Sequence, residues 1–329
     1  MSATEEIHRL NTSLPEVTVI IPTLALREGR ELLERAVESV LNQEAVKARP
    51  LVVVNGTRRD ATVHRWLVSD PRITTITMAE PSLPGALLAG RSRVETQWFS
   101  ALDHDDYLLP SALAVRLDAL KAHPGIDIVV TNGYRRTDDI ETLHLADTSA
   151  VQRDPLEALV QSNWLLPGSW LSRTEAVRPE IFADLPPYLE DTYLALHFAL
   201  TGRLMFLARP TVVWSTDTPG SASKSEAYRM SQVEGLRTIL RLPLPRRIRR
   251  GFQRKLAAEC HSMSNHYLLA EAYRLAWEWH LRCLGQRGGL RYLPYSRHLL
   301  AAVFRRSTTR VLVLGAEAAT FEYYFNCVM

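Results

Sequence analysis

Asp103, Asp105 and Asp106 fall within four positions of one another, directly after the apolar run Trp98 to Leu102. Carboxylates packed this closely repel unless one takes up a proton or a cation joins them. Hard oxygen donors favour Mg2+ or Mn2+, ions that also accept substrate phosphates. A solvated acidic turn before the next helix is the competing reading. Glu190 and Asp191 form a second acidic pair, flanked by Leu189 and Tyr193. A carboxylate fixed at a helix start is placed to act as a general base, and a partly apolar rim raises its proton affinity. The alternative for Asp191 is a plain N-cap of the helix expected from Thr192.

Such groups need elements to position them, and the sequence alternates accordingly. Val17 to Ile21 and Leu51 to Val54 are apolar, β-branched runs that predict buried strands, the first running into Pro22-Thr23 and the second into Asn55-Gly56. Between them, residues 29 to 43 set Leu32, Leu33, Ala36, Val37, Val40 and Leu41 on one helical face. Strands are also expected at Ile73 to Met78, Trp98 to Leu102, Ile126 to Thr131 and Thr211 to Trp214, and Ser111 is a candidate cap for the helix carrying Leu113, Leu117 and Leu120. Asn163 to Trp170 reads as a loop, with a helix from Thr192 stopping at Gly202. This pattern predicts an α/β fold, a doubly wound, mostly parallel sheet whose ligand crevice lies at the carboxyl ends of its strands. Asn55 and Asp103 occupy such ends. Glu226 to Leu240, Gln253 to Leu269 and Ala270 to Leu284 predict successive helices, the last two an αα-hairpin, and Val311 to Leu314 one more strand.

The 329 residues are 46% hydrophobic and 23% charged with 15 Gly and 18 Pro, which excludes a disordered or collagen-like chain. A formal charge of +3 conceals a division. Residues 1 to 217 hold 21 Lys and Arg against 29 Asp and Glu, whereas residues 218 to 329 hold 18 against 7. All 14 aspartates lie between Asp60 and Asp217, so carboxylate chemistry that uses Asp belongs to the first two thirds. Cys260, Cys283 and Cys327 lack metal-ligand spacing and suit a reducing compartment. With a polar start, MSATEEIHRL, and no apolar run near the roughly 20 residues of a membrane span, cytoplasmic placement is expected. The basic block from Arg246 to Lys255 is either a solvated face or a contact for an anionic lipid surface or acidic acceptor, the former contact placing the protein at the inner face of the membrane. Nucleic acid is disfavoured, because no nucleic-acid-binding motif accompanies the block.

Five blocks, VTVIIPT (Val17 to Thr23), LVVVNGT (Leu51 to Thr57), WFSALDHDD (Trp98 to Asp106), GSWLSRTEAV (Gly168 to Val177) and LEDTYLALHFALTG (Leu189 to Gly202), follow in an order and spacing that resembles a GT-A glycosyltransferase of family 2. The resemblance implies an inverting, nucleotide-sugar-dependent transferase with a DxD motif and a bound Mn2+ or Mg2+. By that likeness Pro22 and Thr23 would line the nucleotide, Asp103 would face the ribose or the metal shell, and Asp105 would be the main metal ligand. Asp191 would be the base, while Glu190, Gly168, Ser169 and Trp170 would border the acceptor. By residue type alone Trp164 is a core residue or a pocket wall, with sugar stacking on Trp164 or Trp170 at the acceptor side as the alternative. The catalytic domain is expected over residues 14 to 222, followed by a basic helical region over 223 to 329.

Departures from the family pattern shape the expectation. Asn55 stands where the family carries aspartate beside the nucleotide base; it offers a donor and an acceptor, and a UDP-sugar remains the expected donor. Leu87-Leu88 replaces an Arg-Asn pair, leaving Arg91 and Arg93 as phosphate contacts or as solvated helix arginines. Asp217 stands where relatives carry a histidine and is expected either to substitute as an oxygen ligand or to form a turn, and His104 is expected to point away from the metal. The acceptor stays open among glycan, lipid-linked, peptide and small-molecule classes. Two rival readings are a catalytically inactive nucleotide-sugar or glycan binding module and a nucleotidyltransferase on a similar fold. The second would need a glycine-rich loop after the first strand, where Leu24 to Gly29 holds a single glycine.

Overall fold

The computed structural model describes residues 14–216 and 226–302, which group into two compact units divided between Ile248 and Arg249. Asp217, Val311 to Leu314 and Cys327 lie outside the described residues.

The first unit opens with β1 (Glu16–Thr23), α1 (Arg30–Leu41), β2 (Lys47–Asn55), α2 (Ala61–Ser69), β3 (Thr74–Met78), α3 (Leu83–Arg91) and β4 (Trp98–Ala101). These four strands pair in parallel in the order β3-β2-β1-β4. Val17 to Thr23 of β1 are buried throughout, as a strand covered on both faces requires, and α1 lays Leu33, Ala36, Val37 and Val40 on the sheet. Each such side chain withdrawn from water contributes about 1.5–3 kcal/mol.

The second half adds β5 (Tyr107–Leu108), α4 (Ala112–Ala122), β6 (Ile128–Thr137), β7 (Ile140–Leu143), β8 (Trp170–Arg173), α5 (Glu190–Leu200) and β9 (Leu204–Ser215). The sheet continues β4-β8-β6-β9-β5, with β7 on β6. β8 runs antiparallel to both neighbours, while β6 and β9 pair in parallel. The class is α/β with a mixed, mostly parallel sheet, as the alternation implies. Differences from the sequence reading are local. β6 and β9 run well beyond the apolar runs because their ladder carries them past polar positions. Trp170 belongs to a strand. Ser111 does not cap α4; instead Gln43 reaches from the end of α1, its Oε1 accepting from Leu113 N at 2.9 Å. A further helix, labelled α6 (Glu226–Ile239), belongs to this unit.

The long helix α7 (Arg246–Leu269) crosses the division between units. The basic block therefore forms helical turns rather than a connection between helices, and Arg247 is engaged in ion pairs with Asp154 and Glu157 inside the first unit. In the second unit α7 and α8 (Tyr273–Leu284) make the expected αα-hairpin, with Ser264 Oγ donating to Ala276 O at 2.7 Å and Cys260 and Cys283 buried and not joined in a disulfide. A 3-10 helix, Gly289–Tyr295, follows.

Candidate active site

Backbone pairing carries β4 one step past its last strand residue, Leu102 N donating to Ile20 O at 2.9 Å, and the chain then turns tightly with Asp106 N on Asp103 O at 3.2 Å. The turn brings one carboxylate oxygen each of Asp103, Asp105 and Asp106 within 4.8 Å of one another. Asp106 is fully buried; its Oδ1 accepts from Ser215 N at 2.8 Å, and its Oδ2 has no hydrogen-bond partner. Burial, followed by the charges of Asp105, Asp191 and Glu190, lifts the Asp103 carboxyl well above the usual carboxylate range. Asp106 is raised in the same sense, by burial and then by Asp103 and Asp105. Among the described residues no ion pair engages any of the three. A crowded, uncompensated oxygen set with an unpartnered buried oxygen is the chemistry that a divalent ion fits.

The loop is held by its backbone. Arg35, on α1, donates from Nη2 to Asp105 O at 2.5 Å and to Ser215 Oγ at 3.3 Å, and its guanidinium lies 4.6 Å from the Tyr107 ring centroid. Ser215 Oγ also donates to Asp105 O at 2.9 Å. The sequence offered no cue to Arg35 or Ser215, because their partners stand 70 and 110 residues away. His104 turns toward the loop after β1, its ring beside Gly29, and takes no part in the acidic cluster.

Asp191 occupies the first turn of α5, one residue inside the helix rather than at its cap. Burial, then the neighbouring Glu190 charge, raises its carboxyl to about 7. Glu190 is raised as well, chiefly by burial. The preceding turn is strained: Tyr188 adopts φ +67°, unfavourable for a residue with a bulky side chain. α6 supports it, with the Tyr228 ring edge-on to Tyr188 at 5.6 Å and Gln232 Nε2 donating to Tyr188 O at 3.3 Å. Gly235 permits the close approach, since a Cβ there would stand 2.7 Å from Leu189 Cδ1.

On the other side of the crevice, Pro22 and Thr23 end β1, and Thr23 Oγ1 accepts from Ala25 N at 3.0 Å. Asn55 ends β2, but its Oδ1 is engaged by Ser82 N at 2.6 Å, leaving the amide group as its free donor. Arg91 requires a correction. It is 7% exposed, donates to Val177 O at 2.8 Å and Thr174 O at 2.5 Å, and lies over the Phe99 ring, so it braces α3 and is neither a phosphate contact nor a solvated arginine. Arg93 lines a groove of about 840 Å³ with Glu16, Arg49 and Trp98, at the amino ends of the strands and away from the carboxylates.

The expected acceptor border is also corrected in part. Trp164 and Trp170 are each 1% exposed, the first donating from Nε1 to Pro155 O at 2.8 Å and the second packed edge-on to Phe99 and Phe198. Ser169 is fully buried, its Oγ donating to Leu166 O and accepting from Leu166 N. Aromatic rings beside glycine look alike whether they wall a pocket or fill a core, and here they fill it. Gly168 has φ +72°, and a Cβ on it would stand 2.5 Å from Leu102 Cδ1. The segment is thus a floor pressed under the residue that precedes Asp103. Glu190 alone of this group shares the electrostatics of the acidic cluster.

The family model described as glycosyl transferase family 2 matches residues 18–175. That stretch is a family 2 glycosyltransferase domain. Succinoglycan biosynthesis protein ExoO of Rhizobium meliloti is 31% identical over 157 residues, covering 46% of this chain and 44% of that protein. An uncharacterized glycosyltransferase of Rickettsia typhi is 28% identical over 39% of each chain. The chain therefore aligns with less than half the length of these curated relatives. In fold, it is similar to the crystal structure of S. aureus TarS 1-349 in complex with UDP-GlcNAc, with a TM-score of 0.52 at 13% identity over 75% of this chain and 72% of that one. The GT-A architecture follows from that likeness. Asp191 lies beyond the stretch that the family model matches.

Proposed function

We propose that this chain is an inverting glycosyltransferase that moves a sugar from a nucleoside diphosphate, a UDP-sugar, to an acceptor hydroxyl, with residues 14 to 222 as its catalytic domain. The observation that carries the reading is the convergence of three carboxylates at the end of β4 with a carboxylate of pKa about 7 at the start of α5. Asp105 and Asp103 would hold Mn2+ or Mg2+, with Asp106 fixing the turn from below. Asp217 is retained as a further ligand candidate. The ion would stabilise negative charge developing on the departing diphosphate. Asp191 takes the proton of the acceptor hydroxyl as its oxygen bonds to the anomeric carbon and the bond from that carbon to the diphosphate oxygen breaks. A pKa near 7 suits this task, because the carboxylate is substantially ionised at neutral pH yet a far stronger base than an ordinary aspartate. Pro22, Thr23 and the Asn55 amide would border the nucleotide. UDP is favoured because the TarS structure of similar fold holds UDP-GlcNAc.

Thermal shift against a set of nucleotide sugars, with and without Mn2+, tests the donor and the metal together, since a ligand that binds only the folded state stabilises it by mass action. A UDP-sugar shift of several degrees that requires Mn2+ is expected. Absence of a shift with every nucleotide refutes the assignment. Product formation with a matched acceptor separates an enzyme from a silent binding module.

A further inference from the structure

Near the end of its described part the second unit carries an amphipathic turn. A 3-10 helix has three residues per turn, so side chains three positions apart share a stripe. In Gly289–Tyr295 one stripe, Gly289, Tyr292 and Tyr295, faces inward: Gly289 is buried, and both tyrosine rings pack on His261, Tyr292 stacked at 4.2 Å and Tyr295 edge-on at 4.5 Å. The next stripe holds Leu290 and Leu293, which are 71% and 54% exposed. Exposed Arg291 lies beside them, with exposed Arg287 and Arg297 at either end. Residues 249–302 carry nine Lys and Arg against three Glu, so this unit is cationic well beyond the turn itself.

We propose that this leucine and arginine face is a docking surface for an anionic membrane. Adjacent exposed leucines need an apolar partner, and the arginines around them need an anionic one. The boundary between headgroups and acyl chains of an anionic bilayer supplies both within a few ångströms. A polynucleotide or an acidic peptide would satisfy the arginines and leave Leu290 and Leu293 in water. No helix among the described residues is long and apolar enough to cross a membrane, so the contact is a surface one.

The test is co-sedimentation of the full chain with vesicles of phosphatidylcholine alone or mixed with phosphatidylglycerol, a measurement that requires no catalysis and so stands or falls separately from the proposed reaction. Binding to the anionic vesicles alone, weakened by added salt, is expected. Because both leucines are exposed, Leu290→Ser with Leu293→Ser leaves the melting temperature unchanged and lowers vesicle affinity about tenfold or more. Arg291→Gln lowers it about fivefold. Retention of the full chain in the supernatant with both vesicle types would mean that the stripe is covered by another part of the chain, and overturns the proposal. So does equal binding to neutral vesicles, or an unchanged affinity in the double serine variant.

Discussion

Replacing Asp191 by Asn removes the proposed base and also a charge that folding has made costly to bear. Its carboxyl goes from the ordinary 3.8 of an unfolded chain to about 7 in the folded protein. A raised acid pKa has a definite sign. Below 3.8 both states are protonated and the group costs nothing. Between the two values the folded protein holds a proton that the unfolded chain has released, so stability falls as pH rises, until both states are ionised above about 7. Each pKa unit corresponds to about 1.4 kcal/mol, which sets a ceiling of about 4 kcal/mol. The side chain keeps part of its exposure, and solvent screening roughly halves this, to about 2 kcal/mol. For a folding unit of this size that is about 4–8 °C in melting temperature.

The assay is the melting temperature of the wild type and of Asp191→Asn across pH 4 to 9, with chelator present so that no metal alters the acidic cluster. The difference between them reports this group together with its coupling to Asp103 and Asp106, because titrations elsewhere occur in both proteins. Near pH 4 the two should melt close together, Asn resembling a neutral Asp. The variant should then gain on the wild type as pH rises and level off above about 7. Transfer should be lost throughout, with donor binding nearly unchanged. A melting difference independent of pH would refute the buried, charge-crowded placement of Asp191. Wild-type turnover by the variant would refute its role as base.

Two further substitutions probe the support beneath the acidic loop. Gly168→Ala imposes a side chain at φ +72° and drives a Cβ into Leu102 Cδ1, so it should destabilise by about 2–4 kcal/mol in thermal or denaturant unfolding and raise the Mn2+ concentration needed for activity. Arg35→Met removes the bonds to Asp105 O and Ser215 Oγ along with the stacking on Tyr107; a loss of about 1–2 kcal/mol and a weaker metal-dependent thermal shift are expected. A variant of Arg35 with unaltered metal response would show that the loop needs no outside anchor.

What the sequence revealed was whatever depends on near neighbours. The strands β1, β2 and β4 are short apolar runs whose ends carry Thr23, Asn55 and Asp103, and local patterning suffices to place them. The acidic turn is equally local. Asp191 could be singled out as the candidate base but its setting could not, because its pKa depends on burial created by distant segments. Arg91 shows the converse. Nothing in its neighbours tells a solvated arginine from one whose guanidinium closes the carbonyls of Thr174 and Val177, more than 80 residues away. Trp164 and Trp170 were drawn to the acceptor by their type, whereas the ring contacts with Phe206, Phe99 and Phe198 are made only once β8, α5 and β9 assemble.

The acidic site also explains why its anchors take the form they do. Asp103, Asp106 and Asp191 are all held at raised pKa, and no arginine or lysine pairs with them among the described residues. A guanidinium on those carboxylates would relieve the repulsion, but it would occupy the oxygens that a cation needs and hold Asp191 in a weakly basic state. Arg35 instead bonds the carbonyl of Asp105, and Ser215 contributes its backbone N–H to the rear oxygen of Asp106. Both fix the turn without cancelling the charge at its front. The strain at Tyr188, supported by Gln232 and Tyr228, does the same for Asp191 from the opposite wall. The scaffold thus holds the positions of the carboxylates while leaving their repulsion in place, and in the proposed reaction that repulsion would favour a divalent ion on one side and a proton from the acceptor on the other.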